Sequence, residues 1–420
     1  MKRFLSTMVK VKNPYVVVMG CTGAGKSDAA IEIAKKFNGE VISADSQQIY
    51  KGLDIATNKV TEDEKKGVQH HLMSFLEPDV RGYNVHQFRD DCFDIMNNLW
   101  SQGKLPVICG GTSYYIEGIL FNDNLIPTDQ NKVNEIRMSL KNKSNDELYE
   151  MLLEIDHISG NQVHRNNRAR VQRAIEIALT TGTKKSEFIK RQEKNDNKLR
   201  YENVLIINMD AEEKILDDRL NKRVDKMVER GLKDELKSFY ESHGQKLGKF
   251  GIMQSIGIKE FQPWFKDETD SNFERGINDL QVHTRQYARK QRKRLRQRLM
   301  NRNNGVNHIY LVDTTEKNDF YNQNIPIILD IVDNFINKGD IKNINNQYCK
   351  LWKKSENCQS TIDNELLNKV FFCEVCSIEI HGSTSWEHHI EGKKHKHLLK
   401  KKRDKDVVQS NSKELKEKIG

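Results

Sequence analysis

A chain of 420 residues, 36% apolar and 31% charged, has material for two or three domains and at least one sizeable core. Its formal charge of +9 is unevenly placed and asks for an anionic macromolecular partner. Apolar runs such as Tyr15–Met19 and Val204–Ile207 are far too short to cross a bilayer, and seven cysteines with one CxxC pair suit a reducing compartment and a metal site rather than a disulfide framework.

Residues 1–13 open the chain with a basic, hydroxylated, acid-free tail, the composition of a mitochondrial presequence or of a plain disordered arm. Met8 offers a second start, so one gene could supply two compartments. Tyr15–Met19 then reads as a buried strand, and Gly20-Cys21-Thr22-Gly23-Ala24-Gly25-Lys26-Ser27 as a phosphate-binding loop opening a helix over Lys26–Phe37. Glycines at 20, 23 and 25 let backbone N–H groups turn inward, Lys26 spans the phosphates and the Ser27 hydroxyl suits magnesium. The helix dipole adds to the pull on an anion. Whether that anion belongs to ATP, GTP or another diphosphate is not written in the loop.

Further strands are expected at Glu40–Ala44, Leu105–Cys109, Asn203–Met209 and His308–Val312, alternating with helices, which argues for a parallel sheet with ligands at the carboxyl ends of its strands. Residues 14–122 and 201–339 therefore read as two parts of one catalytic core. Asp45, just after the second strand, would stand beside the bound phosphates, either holding magnesium through water or removing a proton. Residues 123–200 are rich in Asn, Lys and Glu and read as a helical insertion; 340–368 reads as a polar linker, 369–400 as a small module and 401–420 as a charged tail.

Two further constellations carry chemistry. From Thr284 to Arg302 a helical row holds dense positive charge and no acid, and like charges one turn apart repel, so nucleic-acid phosphates are the expected counter-charge. Cys373-x2-Cys376-x12-His389-x5-His395 has the spacing of a closed tetrahedral zinc site, structural rather than catalytic, with His388 and His397 as alternatives in register. Phe371, Phe372, Trp386 and Ile390 are its expected small core.

Taken together these residues resemble the tRNA dimethylallyltransferases, specifically the eukaryotic form with a C-terminal matrin-type zinc finger. The likeness runs through the phosphate loop, Ala44–Lys59, His70-His71-Leu72, Tyr83–Arg89, Gly110–Tyr115, Arg223–Met227, Gln254–Glu260 and Thr284–Gln291. One departure is His164-Arg165-Asn166-Asn167, where the family usually reads His-Pro-Asn-Asp. The resemblance implies an α/β fold, a P-loop parallel-sheet core with a helical insertion and a small C-terminal C2H2-type zinc finger. It further implies transfer of a dimethylallyl group from dimethylallyl diphosphate to N6 of adenosine 37 in the tRNA anticodon stem-loop. A monomer is expected, in the cytosol and, by its basic tail, in mitochondria, with the nucleus as a further candidate address. Asp45, Thr22 and Arg223 become the catalytic residues. Gly20, Thr22, Gly23, Ala24, Gly25, Lys26, Ser27 and Arg223 would hold the diphosphate, with Arg219 as a competitor to Arg223. Ser46, Gln48, Arg170, Arg285, Gln286, Arg289, Lys290 and Arg292 would bind tRNA, Gln48 at the adenine edge. Mg2+ on Ser27 and structural Zn2+ on Cys373, Cys376, His389 and His395 complete the set. An ATP-using enzyme acting on RNA ends would leave the Asp-Ser-x-Gln-x-Tyr segment unexplained; a zinc-finger RNA-binding protein with a vestigial loop would need Cys373 but not Lys26.

Overall fold

The computed structural model describes residues 11–122, 125–127, 129–194, 199–248, 251–300, 309–339, 342–352 and 370–402. Residues 1–10 of the basic tail, Cys358 with most of the expected linker, and residues 403–420 lie outside the described residues. The chain divides into two compact units, residues 1–125 with 197–355, and residues 126–196 with 356–420.

The first unit is built on strands β1 (Tyr15–Gly20), β2 (Gly39–Ser43), β3 (His70–His71), β4 (Leu105–Gly110), β5 (Val204–Asp210), β6 (Ile309–Asp313) and β7 (Cys349–Leu351), in the spatial order β3-β2-β4-β1-β5-β6-β7. Pairing is parallel from β3 to β6, and β7 runs antiparallel on β6. Every residue of β1 and β4 is buried, as expected of strands covered on both faces. Alternation along β1 divides the core. Val16 and Val18 pack with helices Lys26–Lys36 and Ile325–Lys338, whereas Tyr15, Val17 and Met19 pack with helices Val85–Ser101 and Ser113–Leu120. Each such side chain contributes about 1.5–3 kcal/mol on burial, so the strand that carries the phosphate loop is firmly held from both faces.

A third cluster packs Ile49, Leu53 and Ala56, which follow Asp45, against Val224 and Met227 of helix Glu213–Glu229 and Leu280 of the long helix Asp270–Leu295. It carries the Asp45 turn, helix Glu213–Glu229 and the long basic helix on one support. The linker expected over 340–368 is interrupted by β7. Asn346 Oδ1 accepts the Tyr348 and Cys349 N–H groups at 3.0 and 2.8 Å, turning the chain so that Cys349 pairs with Val312. Three residues are too few for a period of two to register in the sequence.

In the second unit, helices Gln130–Leu140, Asn145–Ile155 and Arg168–Thr181 enclose Leu140, Leu148, Leu152, Val171 and Ile175. Strands β8 (Val370–Cys373) and β9 (Ile378–His381) form a hairpin followed by helix Ser383–Glu391. Phe371 stacks on Trp386 with centroids 5.2 Å apart. Phe372 and Ile390, expected in that core, are exposed, because alternation along β8 turns Phe372 away from Phe371. The sequence departure at Arg165 also finds its place here. Its guanidinium lies 5.1 Å over the Tyr149 ring and pairs with Asp146 at 3.4 Å and with Glu379 of the hairpin at 3.7 Å.

At the carboxyl ends of the strands, β2 and β4 approach so closely that a Cβ on Gly110 would lie 2.2 Å from the Ala44 carbonyl oxygen. Backbone cannot yield there as a flexible side chain would. Gly110→Ala is expected to destabilise the fold by about 3 kcal/mol or more, read as a lowered Tm in thermal unfolding; an unchanged Tm would contradict this packing.

Candidate active site

The phosphate loop leaves β1 through glycines in the left-handed region, with φ of +89° at Gly23 and +87° at Gly25. A Cβ at Gly25 would also lie 2.7 Å from the Phe320 ring. Helix Lys26–Lys36 starts immediately after, so its free N–H groups face the loop. Lys26 Nζ donates to the Cys21 carbonyl at 2.8 Å. Arg223 Nη1 donates to Thr22 Oγ1 at 2.8 Å, which fills an acceptor position of the hydroxyl and leaves its hydrogen for another acceptor. Burial lowers the pKa of both Lys26 and Arg223. Their charges are thus poorly solvated and favour an incoming anion. Arg219, the competitor for that anion, is engaged elsewhere, donating to the Thr314 and Thr315 carbonyls at 2.5 and 2.8 Å. Ser27 is exposed. Burial pushes the Cys21 and Cys109 thiols up to about 11, so neither is a thiolate at neutral pH.

The second wall is the turn after β2. Asp45 Oδ1 accepts the Gln47 N–H at 2.9 Å, an Asx-type bond that leaves Oδ2 for a substrate. The turn is tied to the loop after β4, since the Ala44 N–H donates to Cys109 O at 2.7 Å and the Ser46 N–H donates to Thr112 Oγ1 at 3.2 Å. Asp45 is near enough to Lys26 to favour its charged form. Gln48, expected at the adenine edge, also ties down its own loop. Its amide nitrogen donates to the Thr57 and Asn58 carbonyls at 3.2 and 3.1 Å, so both amide hydrogens hold the following loop.

Gln291 joins the two walls. Its Oε1 accepts the Thr22 N–H at 2.9 Å and its Nε2 donates to the Gly111 carbonyl at 3.2 Å. It is buried, and a Cβ on Gly111 would lie 2.3 Å from its amide nitrogen. The Tyr287 hydroxyl, one turn earlier, bonds to Gln291 and Thr112, and burial followed by the Asp45 charge raises its pKa. Sequence reasoning assigned no role to Gln291 or Tyr287. Their i, i+4 spacing and lower polarity within a cationic row were the available signal.

The basic helix presents three faces. Tyr287 and Gln291 face the loops. Arg285, Arg289 and Arg292 face helix Glu213–Glu229 and the end of β5: Arg285 bonds to Asn221, Arg289 Nε donates to Glu213 at 2.7 Å and its Nη2 to Asp217 at 2.5 Å, and Arg292 Nη2 donates to Asp210 at 2.7 Å. The row therefore does not rely wholly on nucleic acid for counter-charge; acids distant in sequence neutralise part of it. Gln286, Lys290, Lys293 and Arg294 form the third, exposed face, and among the described residues none of these three cations has an acidic partner. In the second unit, Arg170 is exposed in the first turn of helix Arg168–Thr181.

The second unit also gathers Cys373, Cys376, His389 and His395, with ligand atoms all within 4.8 Å of one another. His395 Nδ1 lies 3.4 and 3.6 Å from the two sulfurs and 3.1 Å from His389 Nε2. Tetrahedral zinc bond lengths put sulfur and nitrogen ligands about 3.5 Å apart and two nitrogens about 3.3 Å apart. The donor set and spacing thus fit a zinc ion with no open position. His388 and His397, the alternatives in register, are exposed and outside the cluster.

The sequence family IPP transferase matches residues 48–298, and the family Isopentenyl transferase matches residues 14–74. A tRNA dimethylallyltransferase of Mus musculus is 32% identical over 421 residues, covering 94% of this chain and 87% of its own. The Schizosaccharomyces pombe tRNA dimethylallyltransferase is 33% identical over 420 residues, covering 93% and 96%. A solved eukaryotic dimethylallyltransferase acting on tRNA shares 29% identity with a TM-score of 0.75, covering 95% of this chain and 99% of that one.

Replacing Gln291 by methionine keeps its volume and removes its bonds to Thr22 and Gly111. Gln291→Met is expected to cost about 1–3 kcal/mol of stability, since the Thr22 N–H and Gly111 carbonyl lose their partner. It should also speed amide hydrogen exchange at Thr22 relative to the centre of β1; unchanged exchange there would show that the bridge does not restrain the loop.

Proposed function

This chain belongs to the IPP transferase family of tRNA dimethylallyltransferases, and we propose that it transfers a dimethylallyl group from dimethylallyl diphosphate to N6 of adenosine 37 in tRNA, releasing diphosphate. The observation that carries the reading is the joining of a phosphate loop to a carboxylate turn, with Gln291 bridging Thr22 and Gly111 while Ala44 and Ser46 tie the Asp45 turn to Cys109 and Thr112. A leaving diphosphate and an attacking amine need such adjoining sites.

The N6 lone pair forms the new bond to C1 of the dimethylallyl group as the C1–O bond breaks, its electrons leaving on the diphosphate. An adenine amine is a weak nucleophile because its lone pair is delocalised into the ring. Asp45 takes the N6 proton through Oδ2. Charge developing on the leaving oxygens meets Lys26, released from the Cys21 carbonyl, together with the Thr22 hydroxyl, oriented by Arg223. The exposed Ser27 hydroxyl is a hard oxygen that fits magnesium, which would supply further charge neutralisation to the diphosphate. Gly20, Gly23, Ala24 and Gly25 contribute backbone rather than side chains.

Lys290, Lys293 and Arg294 would hold RNA phosphates, while Arg285, Arg289 and Arg292 brace the helix that presents them. Arg170 and the lysines of residues 393–402 offer the second unit's cationic surface to the same polyanion. Zinc held by the four Cys and His ligands would fix the finger's shape. No described helix is long and apolar enough to cross a membrane. The basic tail supports delivery to mitochondria as well as cytosol, with the nucleus as a further address, and the chain is read as acting alone.

The test is incubation with magnesium, dimethylallyl diphosphate and unmodified tRNA, followed by mass analysis of nucleosides. One isopentenyl group on adenosine 37 is expected, with turnover about 10²–10⁴-fold lower in Asp45→Asn. Folded, tRNA-bound protein that transfers nothing would overturn the reading. Binding across a salt series gives a second check. Lys290→Gln, Lys293→Gln and Arg294→Gln should each reduce the salt slope by about one or less, whereas Arg289→Gln should lower Tm and leave the slope nearly unchanged; the opposite pattern would reassign the two faces.

A further inference from the structure

The site described so far leaves one prominent group unused. Tyr114 follows Thr112, the residue tied to the Asp45 turn, by two positions in the first turn of helix Ser113–Leu120, and it is 49% exposed. One face of its ring is covered by the Arg298 guanidinium, 4.2 Å from the centroid, and Arg298 Nη2 donates to the Tyr114 hydroxyl at 3.1 Å. Arg298 is itself fixed by two bonds to Glu117, at 3.1 and 2.9 Å, and Glu117 is fully buried. The aromatic ring is therefore held in one orientation by a buried carboxylate acting through an arginine. Burying Glu117 costs desolvation that Arg298 offsets, but this does not require an aromatic ring over the guanidinium.

The surroundings indicate what such a ring would meet. Arg298 lies one turn beyond Arg294, at the end of the exposed cationic face of Gln286, Lys290, Lys293 and Arg294. Arg294 also acts on Tyr287, whose other charged neighbour is Asp45. A polyanionic strand lying along this face and delivering one base to Asp45 would bring its next nucleotide towards the loop that carries Tyr114. Unpaired bases displaced from their own stack settle on aromatic and guanidinium planes.

We propose that Tyr114, backed by Arg298 and Glu117, is a stacking platform for the unpaired nucleobase that flanks the target adenosine in the anticodon loop. Its hydrogen-bonding edges are not read, so the platform accepts any base and favours purines for their larger faces. It holds the loop open after the target base has left the stack, while Arg298, paired with Glu117, keeps the ring in place. This inference rests on the RNA-acceptor reading above.

The experiment uses the full chain and two anticodon stem-loop RNAs, one with 2-aminopurine on the 5′ side of the target adenosine and one with it on the 3′ side. Stacking quenches 2-aminopurine fluorescence. Wild type should quench one of the two further on binding, with or without dimethylallyl diphosphate. Tyr114→Phe should retain the quench. Tyr114→Leu, which keeps apolar cover over Arg298, should lose it and raise the KM for RNA roughly 5- to 150-fold, with kcat at saturating RNA and the KM for the diphosphate within about twofold of wild type. Quenching by Tyr114→Leu equal to wild type in both RNAs would overturn the platform, as would a fall in kcat without a change in the KM for RNA. Binding and quenching without prenyl transfer by wild type would instead overturn the donor reading and leave the platform standing.

Discussion

The close approach of backbone at the carboxyl ends of β1, β2 and β4 is the constraint on which the remaining arrangement depends. Gly20 packs against the Met209 carbonyl of β5 and Gly110 against the Ala44 carbonyl, with no room for a Cβ at either position. These contacts bring three loops, remote in sequence, to one edge of the sheet: the phosphate loop, the Asp45 turn and the Gly110–Thr112 segment. Because the strands behind them are buried on both faces, their relative positions are set by core packing rather than by contacts among the loops themselves. A site that must align a leaving group, a carbon centre and a proton acceptor gains from such support, since misplacement of about 1 Å weakens catalysis.

Electrostatics adds a second layer. The long basic helix would repel itself if its charges faced one another without relief. Glu213 and Asp217 on the neighbouring helix, Asp210 at the end of β5 and the buried Glu117 each take an arginine from it. Those arginines become part of the protein's own framework and fix the helix in rotation. That rotation turns Gln291 to the phosphate loop and leaves Lys290, Lys293 and Arg294 to solvent. One helix thereby braces the loops at the sheet edge and leaves unpaired cations at the surface among the described residues, and its acidic neighbours decide which residue does which.

Much of the fold was legible because its signals are local. The β1 run, the loop glycines and Lys26 are consecutive, and the observed strand and helix bounds differ from those expected by a residue or two. The Cys373–His395 spacing picked out the four residues that the fold gathers, His389 rather than His388 among them, in a cluster that could hold a metal ion. What could not be read was of another kind. β7 is three residues long and owes its place to Asn346 and to the free edge of β6. Gln48 was expected at the adenine edge from its type and place, and only the fold shows that its amide nitrogen bonds to the Thr57 and Asn58 carbonyls. Gln291 stood out in a cationic row by type and by its spacing from Tyr287, but the two loops it joins are remote in sequence and only the fold brings them to it.

The sequence by itself determined the chemical inventory: a loop able to bind polyphosphate, a carboxylate after the second strand, a tetrahedral set of thiols and imidazoles, and a concentration of positive charge. Such features depend on residue type and short spacing, which the chain fixes before it folds. Tertiary structure decided the partners. Arg223 rather than Arg219 reaches Thr22, Arg289 and Arg292 turn to acids while Lys290 and Arg294 do not, and Tyr114 is held beneath Arg298. Each of those outcomes is a choice among side chains of similar chemistry. It is made by helix rotation and core packing, which no local spacing encodes.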